Sequence, residues 1–382
     1  MLRTRQPPRE TARMAKDQKI RLGIIFGGRS GEHEVSITSA ASVINALDPE
    51  EFEITVFGIT KTGTFANTSE MRAMLPPDVQ SRVYLSPALV ADGSGMRVSM
   101  DLSVEKRDAR RYPEIIFPLL HGPYGEDGTI QGLLEIAGLP YIGCGVLASA
   151  VGMDKDIMKK LFLQAQLPVA PFRTVFTRDL EKDMAFLKQR TADELGYPMF
   201  SKPANLGSSV GICKIHSGGE FEDALRHSAQ FDRKILIEKG IDGRELECAI
   251  LGNENPQASV VGEVFSAHEF YDYKAKYQNP DSRLEIPARL EDAKTEEIRD
   301  LALRSFKAID GAGLARVDFF LERKSGQVWI NEINTMPGFT PISMYTKLWA
   351  ASGVPFDQLV RRLARLGEER FQQRTEQRIS EG

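Results

Sequence analysis

Cysteine is scarce in this 382-residue chain, and the three that occur, Cys144, Cys213 and Cys248, lie far apart with no CxxC pair. An odd count without motif spacing excludes a disulfide framework and a cysteine-built zinc site, and fits a reducing compartment. An excess of charge of one sign is also lacking: the net charge is −4, with both signs interspersed. The basic face of a nucleic-acid binder is therefore not expected. No apolar run approaches the roughly 18–20 residues of a membrane span. The first 18 residues, MLRTRQPPRETARMAKDQ, carry no apolar core of a secretory signal, and Pro7-Pro8, Glu10 and Asp17 spoil a transit-peptide helix. Residues 1–18 are expected to be a disordered extension, and the protein to be soluble and cytoplasmic, with neither a membrane nor a nucleic acid as partner. Internal repeats and low-complexity tracts are missing, and so is GxxxxGK[ST], which argues against a P-loop fold. A loose glycine pattern at Gly143–Ala148 lacks the acidic residue about 20 positions later that a dinucleotide site uses.

What is present is enough apolar material, 42% of residues, to fill two or three domains. Strand and helix alternate from the start. Leu22–Phe26 is a short apolar run closed by Gly27-Gly28; Ile37, Ala40, Ala41, Ile44 and Leu47 then recur at helical spacing. Phe52–Ile59 is expected as a strand, and so is Ile115–Leu120, with the loop HGPYGEDG (121–128) and a helix through Ile130, Leu133, Leu134 and Ala137 after it. A first open α/β domain over 19–143 follows, with glycine-rich loops where such sheets bind ligands. A second unit over 144–238 holds a helix at Lys155–Gln164, a strand ending at Lys202-Pro203, the loop NLGSSVG (205–211) and a strand at Lys234–Glu238. The third, 239–382, is richer in long strands (Arg244–Leu251, Ser259–Phe265, Leu314–Leu321 and Gln327–Asn334) and ends in a helix at Phe356–Arg370.

Chemistry enters through spacing. Arg316 and Asp318 are two apart on one expected strand, and Glu332 and Asn334 are two apart on the next. Each pair shares a face, and a turn at Lys324–Gly326 would make the two strands a hairpin. Asp318, Glu332 and Asn334 would then converge as oxygen ligands for Mg²⁺, which completes its shell with water and phosphate. The same pattern would also be written by the polar outer face of a sheet. In the glycine-serine loop, small residues allow backbone N–H groups near phosphate oxygens, and Lys202 adds a point charge. Ordinary Gly-Ser turns look alike. GGRSGEHEVS (27–36) puts Glu32 and Glu34 at a helix start, where simple dipole pairing is one reading and an ammonium partner another. EFYDYKAKYQNPDSR (269–283), aromatic and basic between strands, is either an exposed loop or a lid. Of five histidines, only His121 has acidic and glycine neighbours in a loop.

GGRSGEHEVS, HGPYGEDG, MDKDIMKKL, SKPANLGSSVG, IEKGIDGRELECAILG, FYDYKAKY, ARVDFFL and NEINTMPGFTPISMY occur in the order seen in D-alanine–D-alanine ligases, of the ATP-grasp superfamily. The resemblance runs from about Lys19 to Leu366. It implies an ATP-dependent ligase joining two D-alanines for peptidoglycan precursors, with an α/β ATP-grasp fold, ATP between the second and third units, two Mg²⁺ (or Mn²⁺) ions, and a homodimer. By the same resemblance Lys155 and Lys202 contact phosphates, Glu238 the adenine and Glu245 the ribose; Ser208, Ser209, Ile241, Phe270 and Lys276 complete the ATP-binding set. Glu32 faces the first D-alanine's ammonium with His121 near it, and Ser208 and Tyr277 hydrogen-bond with Glu32 to close a lid. Lys276 stands by the phosphate and the acceptor, and Ser343 binds the second carboxylate. Arg316 and the Gly338 N–H form an oxyanion hole, and Asp318, Glu332 and Asn334 hold metal. Tyr277 is the form that goes with D-alanine rather than D-lactate as acceptor. Met344 departs from the family's leucine beside the acceptor methyl, which leaves that pocket's shape open.

Three other classes make different demands. Another ATP-grasp ligase would not need Glu32, Ser208 and Tyr277 together. A non-catalytic nucleotide-binding protein would be expected to lose Arg316 or a metal ligand, and all are present. A dehydrogenase would need the missing fingerprint.

Overall fold

The computed structural model describes residues 19–85, 113–265 and 283–378. The strands β1 (Ile20–Gly27), β2 (Phe52–Ile59), β3 (Tyr84–Leu85) and β4 (Ile115–Pro118) form a parallel sheet in the order β3-β2-β1-β4. After Arg21, which pairs with Glu114 at 2.8 Å, β1 is apolar and buried because both of its faces are covered. Leu22, Ile24 and Phe26 join a core with Ile37, Val43 and Ile44 of the helix His33–Ala46. Ile25, pointing the other way, joins Ile130 and Leu134 of the helix Thr129–Ile136. Gly27 turns the chain out of β1 with φ +93°, and a Cβ there would lie 2.1 Å from the Ile59 carbonyl oxygen, so only glycine fits.

Two antiparallel sheets follow. β5 (Phe172–Phe176), β6 (Met199–Pro203), β7 (Cys213–Ile215) and β8 (Lys234–Lys239) order as β5-β8-β6-β7. The helices Met184–Leu195 and Phe221–Ser228 pack on this sheet through Leu195, Phe221 and Leu225. β9 (Gly243–Gly252), β10 (Gln257–Phe265), β11 (Arg283–Glu285), β12 (Gly313–Glu322) and β13 (Val328–Asn334) order as β11-β10-β9-β12-β13. Alternation along β9 again serves two layers. Cys248 and Ile250 face the helix Asp292–Ala308, while Ala249 and Leu251 share a core with Tyr345, Leu348 and Trp349 of the helix Met344–Ala351.

The last helix, Phe356–Arg378, returns to the first sheet: its Leu359, Val360 and Leu363 lie in the same core as β1. Arg361 ion-pairs with Glu51, and the Arg370 guanidinium stacks 4.1 Å above the Tyr141 ring. Phe339 joins the two ends of the molecule, edge-on to Phe117 at 5.1 Å and beside Tyr345 at 5.8 Å.

The final helix extends to Arg378, not Arg370. Several elements are not announced by the sequence: the helices Val146–Met153, Met184–Leu195, Asp292–Ala308 and Met344–Ala351, and strand β5. Asp292–Ala308 shows why. Its buried stripe (Ile298, Leu301, Ala302, Ser305 and Phe306) is thin and includes a serine, and charges fill the remaining face. The 1–18 extension lies outside the described residues.

Candidate active site

The helix start at Gly27–Ser36 separates two glutamates that look alike in sequence. Glu34 is exposed and pairs with Lys61 at 2.6 Å, and that hydrogen bond, against slight burial, holds its carboxyl below the usual range. Glu32 occupies the N-cap position but its side chain makes no cap bond. Instead its carboxylate accepts a hydrogen bond from the Ser208 hydroxyl, 176 residues on. A Cβ placed on Gly122 would come 2.8 Å from Glu32 Oε2, so the HGPYGEDG loop passes directly beside this carboxylate. Ser30 fastens the two loops, donating to the His121 carbonyl at 2.8 Å and accepting from the Glu32 N–H at 3.2 Å. Ser208 and Ser209 both sit in the left-handed region, φ +51° and +59°, a conformation that turns the glycine-serine loop toward Glu32.

His121 is buried in this corner. Its Nδ1 lies 3.2 Å from the Met336 carbonyl oxygen and 3.7 Å from Glu126 Oε1, and its Nε2 lies 3.1 Å from Ser39 Oγ. Burial disfavours the imidazolium, but Glu126, Glu32 and the Met336 carbonyl outweigh it and raise the histidine's pKa. Glu126 is itself raised, by burial first and by Glu32. His33, by contrast, is a buried structural residue tied to the Gly28 carbonyl at 2.8 Å.

A charged floor lies across the second and third sheets. Asp154 caps the helix Lys155–Gln164 by accepting from the N–H groups of Asp156 and Ile157, and it pairs with Lys234 at 2.5 Å. Lys155 and Lys159, four apart on that helix, consequently emerge on one side. Lys155 Nζ donates to the Leu206 carbonyl at 2.6 Å and stands 3.4 Å from Glu332. Lys159 Nζ and Lys202 Nζ each lie 2.5 Å from one oxygen of the buried Glu238. Against burial, these two lysines hold Glu238 below the ordinary carboxylate range, and Glu238 in turn raises Lys202. Glu245, half-buried on β9, adds to that pull on Lys202. Ile241 lies half-buried between β8 and β9.

β12 and β13 pair with Arg316 opposite Asn334 and Asp318 opposite Glu332. The Arg316 guanidinium grips Asp318 with two bonds of 2.6 and 2.7 Å, and the Asn334 amide donates to Asp318 at 3.0 Å. Next to them on β9, opposite Asp318, is Glu247, 2.8 Å from Arg316 Nε. Among the described residues no group of three or more His, Cys, Asp and Glu side chains forms a ready-made cation cage. Two carboxylates and an amide carbonyl on adjoining strands, with no sulfur or imidazole, nonetheless fit a hard ion that draws its other ligands from phosphate and water.

Ser343 and Thr340 hydrogen-bond through their hydroxyls at 2.8 Å just before the helix Met344–Ala351, and Gly338 is half-buried in the loop that carries Phe339. Met344 is buried in the core, where its sulfur would be 3.0 Å from a Cβ on Gly262. Phe270, Lys276 and Tyr277 lie outside the described residues. The thiols of Cys144 and Cys248 are pushed up by burial to about 11 and about 12, so neither is a thiolate nucleophile at neutral pH. Three participants were not singled out from sequence: Lys159, Glu126 and Glu247. Lys159 could have been found four residues after Lys155, and Glu247 two residues after Glu245 on one strand face; Glu126 carried no such signal.

Residues 21–144 match the family model described as "D-ala D-ala ligase N-terminus", and residues 161–365 match "D-ala D-ala ligase C-terminus". The chain is similar to a D-alanine–D-alanine ligase of Heliobacterium modesticaldum, 48% identical over 92% of this chain and 96% of that one. A D-alanine–D-alanine ligase of Thermoanaerobacter pseudethanolicus is 47% identical over 92% and 97% of the two chains. Among solved structures, the D-alanine–D-alanine ligase of Coxiella burnetii superposes with a TM-score of 0.78 at 36% identity, covering 94% of this chain and 96% of that one. The VanG D-Ala:D-Ser ligase of Enterococcus faecalis superposes with a TM-score of 0.76 at 33% identity, covering 92% and 100%. No helix among the described residues is long and apolar enough to cross a membrane.

Proposed function

The chain belongs to the D-alanine–D-alanine ligase family, and from that premise we propose how its side chains divide the work. The enzyme uses ATP to join two D-alanines into D-alanyl-D-alanine for peptidoglycan synthesis, releasing ADP and phosphate. The observation that carries the assignment of the site is the convergence of the three units: Lys155 of the second stands 3.4 Å from Glu332 of the third, near the Lys202–Glu238 pair and on the strand beside the Arg316–Asp318 pair, and Ser208 of the second donates to Glu32 of the first.

In the first step a carboxylate oxygen of one D-alanine attacks the γ-phosphorus of ATP; the bond to the β-phosphate oxygen breaks, leaving an acyl phosphate and ADP. Lys155 and Lys202 stabilise the charge on the phosphate oxygens, with Ser209 beside them and Glu238, Glu245 and Ile241 around the nucleoside; by the resemblance, Lys276 would serve the phosphates and Phe270 the nucleoside. Asp318, Glu332 and Asn334 would hold Mg²⁺, two ions by family resemblance with Mn²⁺ as a substitute, and the metal would neutralise charge on the transferring group. Glu32 holds the first substrate's ammonium. Its side chain makes no cap bond and turns instead to Ser208, which supports this role, and by the resemblance Tyr277 joins Ser208 in holding it. In the second step the amine of the other D-alanine attacks the acyl carbon, phosphate leaves, and a proton is lost from nitrogen. Arg316 and the Gly338 N–H stabilise the oxyanion. Ser343 receives the acceptor's carboxylate, Met344 borders its pocket and His121 flanks the first substrate. Exclusion of water protects the acyl phosphate from hydrolysis.

The segments 19–143, 144–238 and 239–382 are read as the corresponding units, a division supported by one sheet falling in each save for Lys239, the last residue of β8. A homodimer in the cytoplasm is the state expected from the resemblance. The deciding experiment is phosphate release with ATP and Mg²⁺, offering D-alanine alone, D-alanine with D-serine or D-lactate, and L-alanine, with product masses determined. Release with D-alanine alone and the mass of D-alanyl-D-alanine are expected. Release only with D-serine or D-lactate as second substrate would replace the acceptor, and no release with any would refute the assignment.

A further inference from the structure

Lys159 is the most deeply buried cation of the floor, about 1% exposed along its side chain. Burying an ammonium is costly unless a partner neutralises it. Its Nζ meets Glu238 Oε1 at 2.5 Å and donates to the Asn331 carbonyl at 2.9 Å. Lys202 takes the other oxygen of the same carboxylate at 2.5 Å and reaches the Asn331 side-chain oxygen at 3.3 Å. Asn331 occupies the register shift of β13, immediately before Glu332. Two lysines therefore share one glutamate, and both are braced on one residue adjacent to the proposed metal ligand Glu332.

We propose that Lys159 is a positioning residue for nucleotide phosphate binding: it takes up the charge of Glu238 and so leaves Lys202 with positive charge to offer the phosphates. This inference rests on the reading of the floor as the ATP site. Burial and Lys202 pull the Lys159 ammonium's pKa down while Glu238 pulls it up; with both lysines protonated, two ammonium groups and one carboxylate leave one net positive charge. Without Lys159, Glu238 and Lys202 would neutralise each other and hold Lys202 away from its ligand. A purely structural ion pair would support the whole nucleotide pocket alike, whereas a charge-setting role acts on the phosphates alone.

Titration calorimetry of the full chain with ADP and, by displacement, with adenosine separates these cases. The ratio of ADP to adenosine affinity is expected to follow the net charge of the floor. Glu238→Gln should stand above wild type, and the double variant Lys159→Met/Glu238→Gln should match wild type; in both, the lost adenine contact lowers ADP and adenosine affinity alike, so only the ratio is compared. Lys159→Met, which keeps Glu238, should fall about tenfold below wild type with adenosine affinity held within about twofold. Should Lys159→Met not fold, the double variant, which leaves no buried carboxylate half-paired, is compared with Glu238→Gln, and the former must have the lower ratio. An unchanged ratio in Lys159→Met, equal losses for both ligands, or no recovery in the double variant would overturn the proposal. Failure of wild type to bind ADP would instead overturn the nucleotide-site reading beneath it.

Discussion

The two halves of the site are built in opposite ways. The floor around Glu238, Arg316 and Asp318 consists of charged side chains rooted in strands and one helix, each held by other charged side chains. The corner around Glu32 and His121 is made of loops, held by backbone carbonyls, hydroxyls and glycines with positive φ: Gly27, Gly28 and Gly122. Strand-borne charges are pre-aimed and suit a polyanion whose charge grows during reaction. A loop-built corner has several backbone groups to offer and can shape itself around a small zwitterion. The difference teaches that charge variants in the floor should strike turnover and nucleotide binding, and shape variants in the corner should strike the affinity for D-alanine.

Arg316→Met should give the largest effect. Removing the guanidinium takes away an oxyanion donor and strands Asp318 and Glu247, and kcat should fall by about 10²–10³. A loss of under tenfold in steady-state turnover would break the division just drawn. Gly122→Ala comes next. A side chain at φ +75° costs about 1–2 kcal/mol of stability, and its Cβ would press on Glu32 Oε2 at 2.8 Å. The expected outcome is a lower Tm together with a raised KM for D-alanine and an unchanged KM for ATP; a rise in the ATP value instead would show that the corner and floor are not separate. Ser208→Ala removes the hydroxyl that Glu32 accepts from, worth about 1 kcal/mol. A loss of about fivefold in kcat/KM for D-alanine, with nearly wild-type melting, sharpens the contrast.

Glu126→Gln should have the smallest effect and the clearest sign. Burial lowers the pKa of His121, and Glu126 is the main group that raises it again. The variant should therefore move the His121 titration downward, measured by NMR of its ring protons. Because the folded-state pKa lies above 6.5, the stability it brings is complete below about pH 6.5 and fades as pH rises through the folded value. The wild type should lose that increment across this window, and the variant should lose less. A titration that stays in place or moves upward would remove Glu126 as the cause.

Local pattern determined a good deal. The apolar runs at β1, β2 and β4 marked the strands of an open α/β sheet, and the two-residue spacings put Arg316 with Asp318 on one face of their strand and Glu332 with Asn334 on one face of theirs, while the register that unites the two pairs came from the fold. Loop composition drew notice to Glu32, the glycine-serine loop and His121 while leaving ordinary readings open, and motif order along the chain gave each its role. The resemblance singled out Glu32 over Glu34, and the fold supplies the physical reason: one of two neighbouring carboxylates turns toward Gly122, the other toward solvent and Lys61. The partnership of Lys159, Lys202 and Glu238 was invisible in the sequence: it joins a helix to two strands, and sequence separation carries no information about which charges will share one buried site. The return of the final helix to the first sheet has the same origin. Its apolar stripe declares that it must be covered, but only three-dimensional closure, through Phe339 and the core of β1, decides by what.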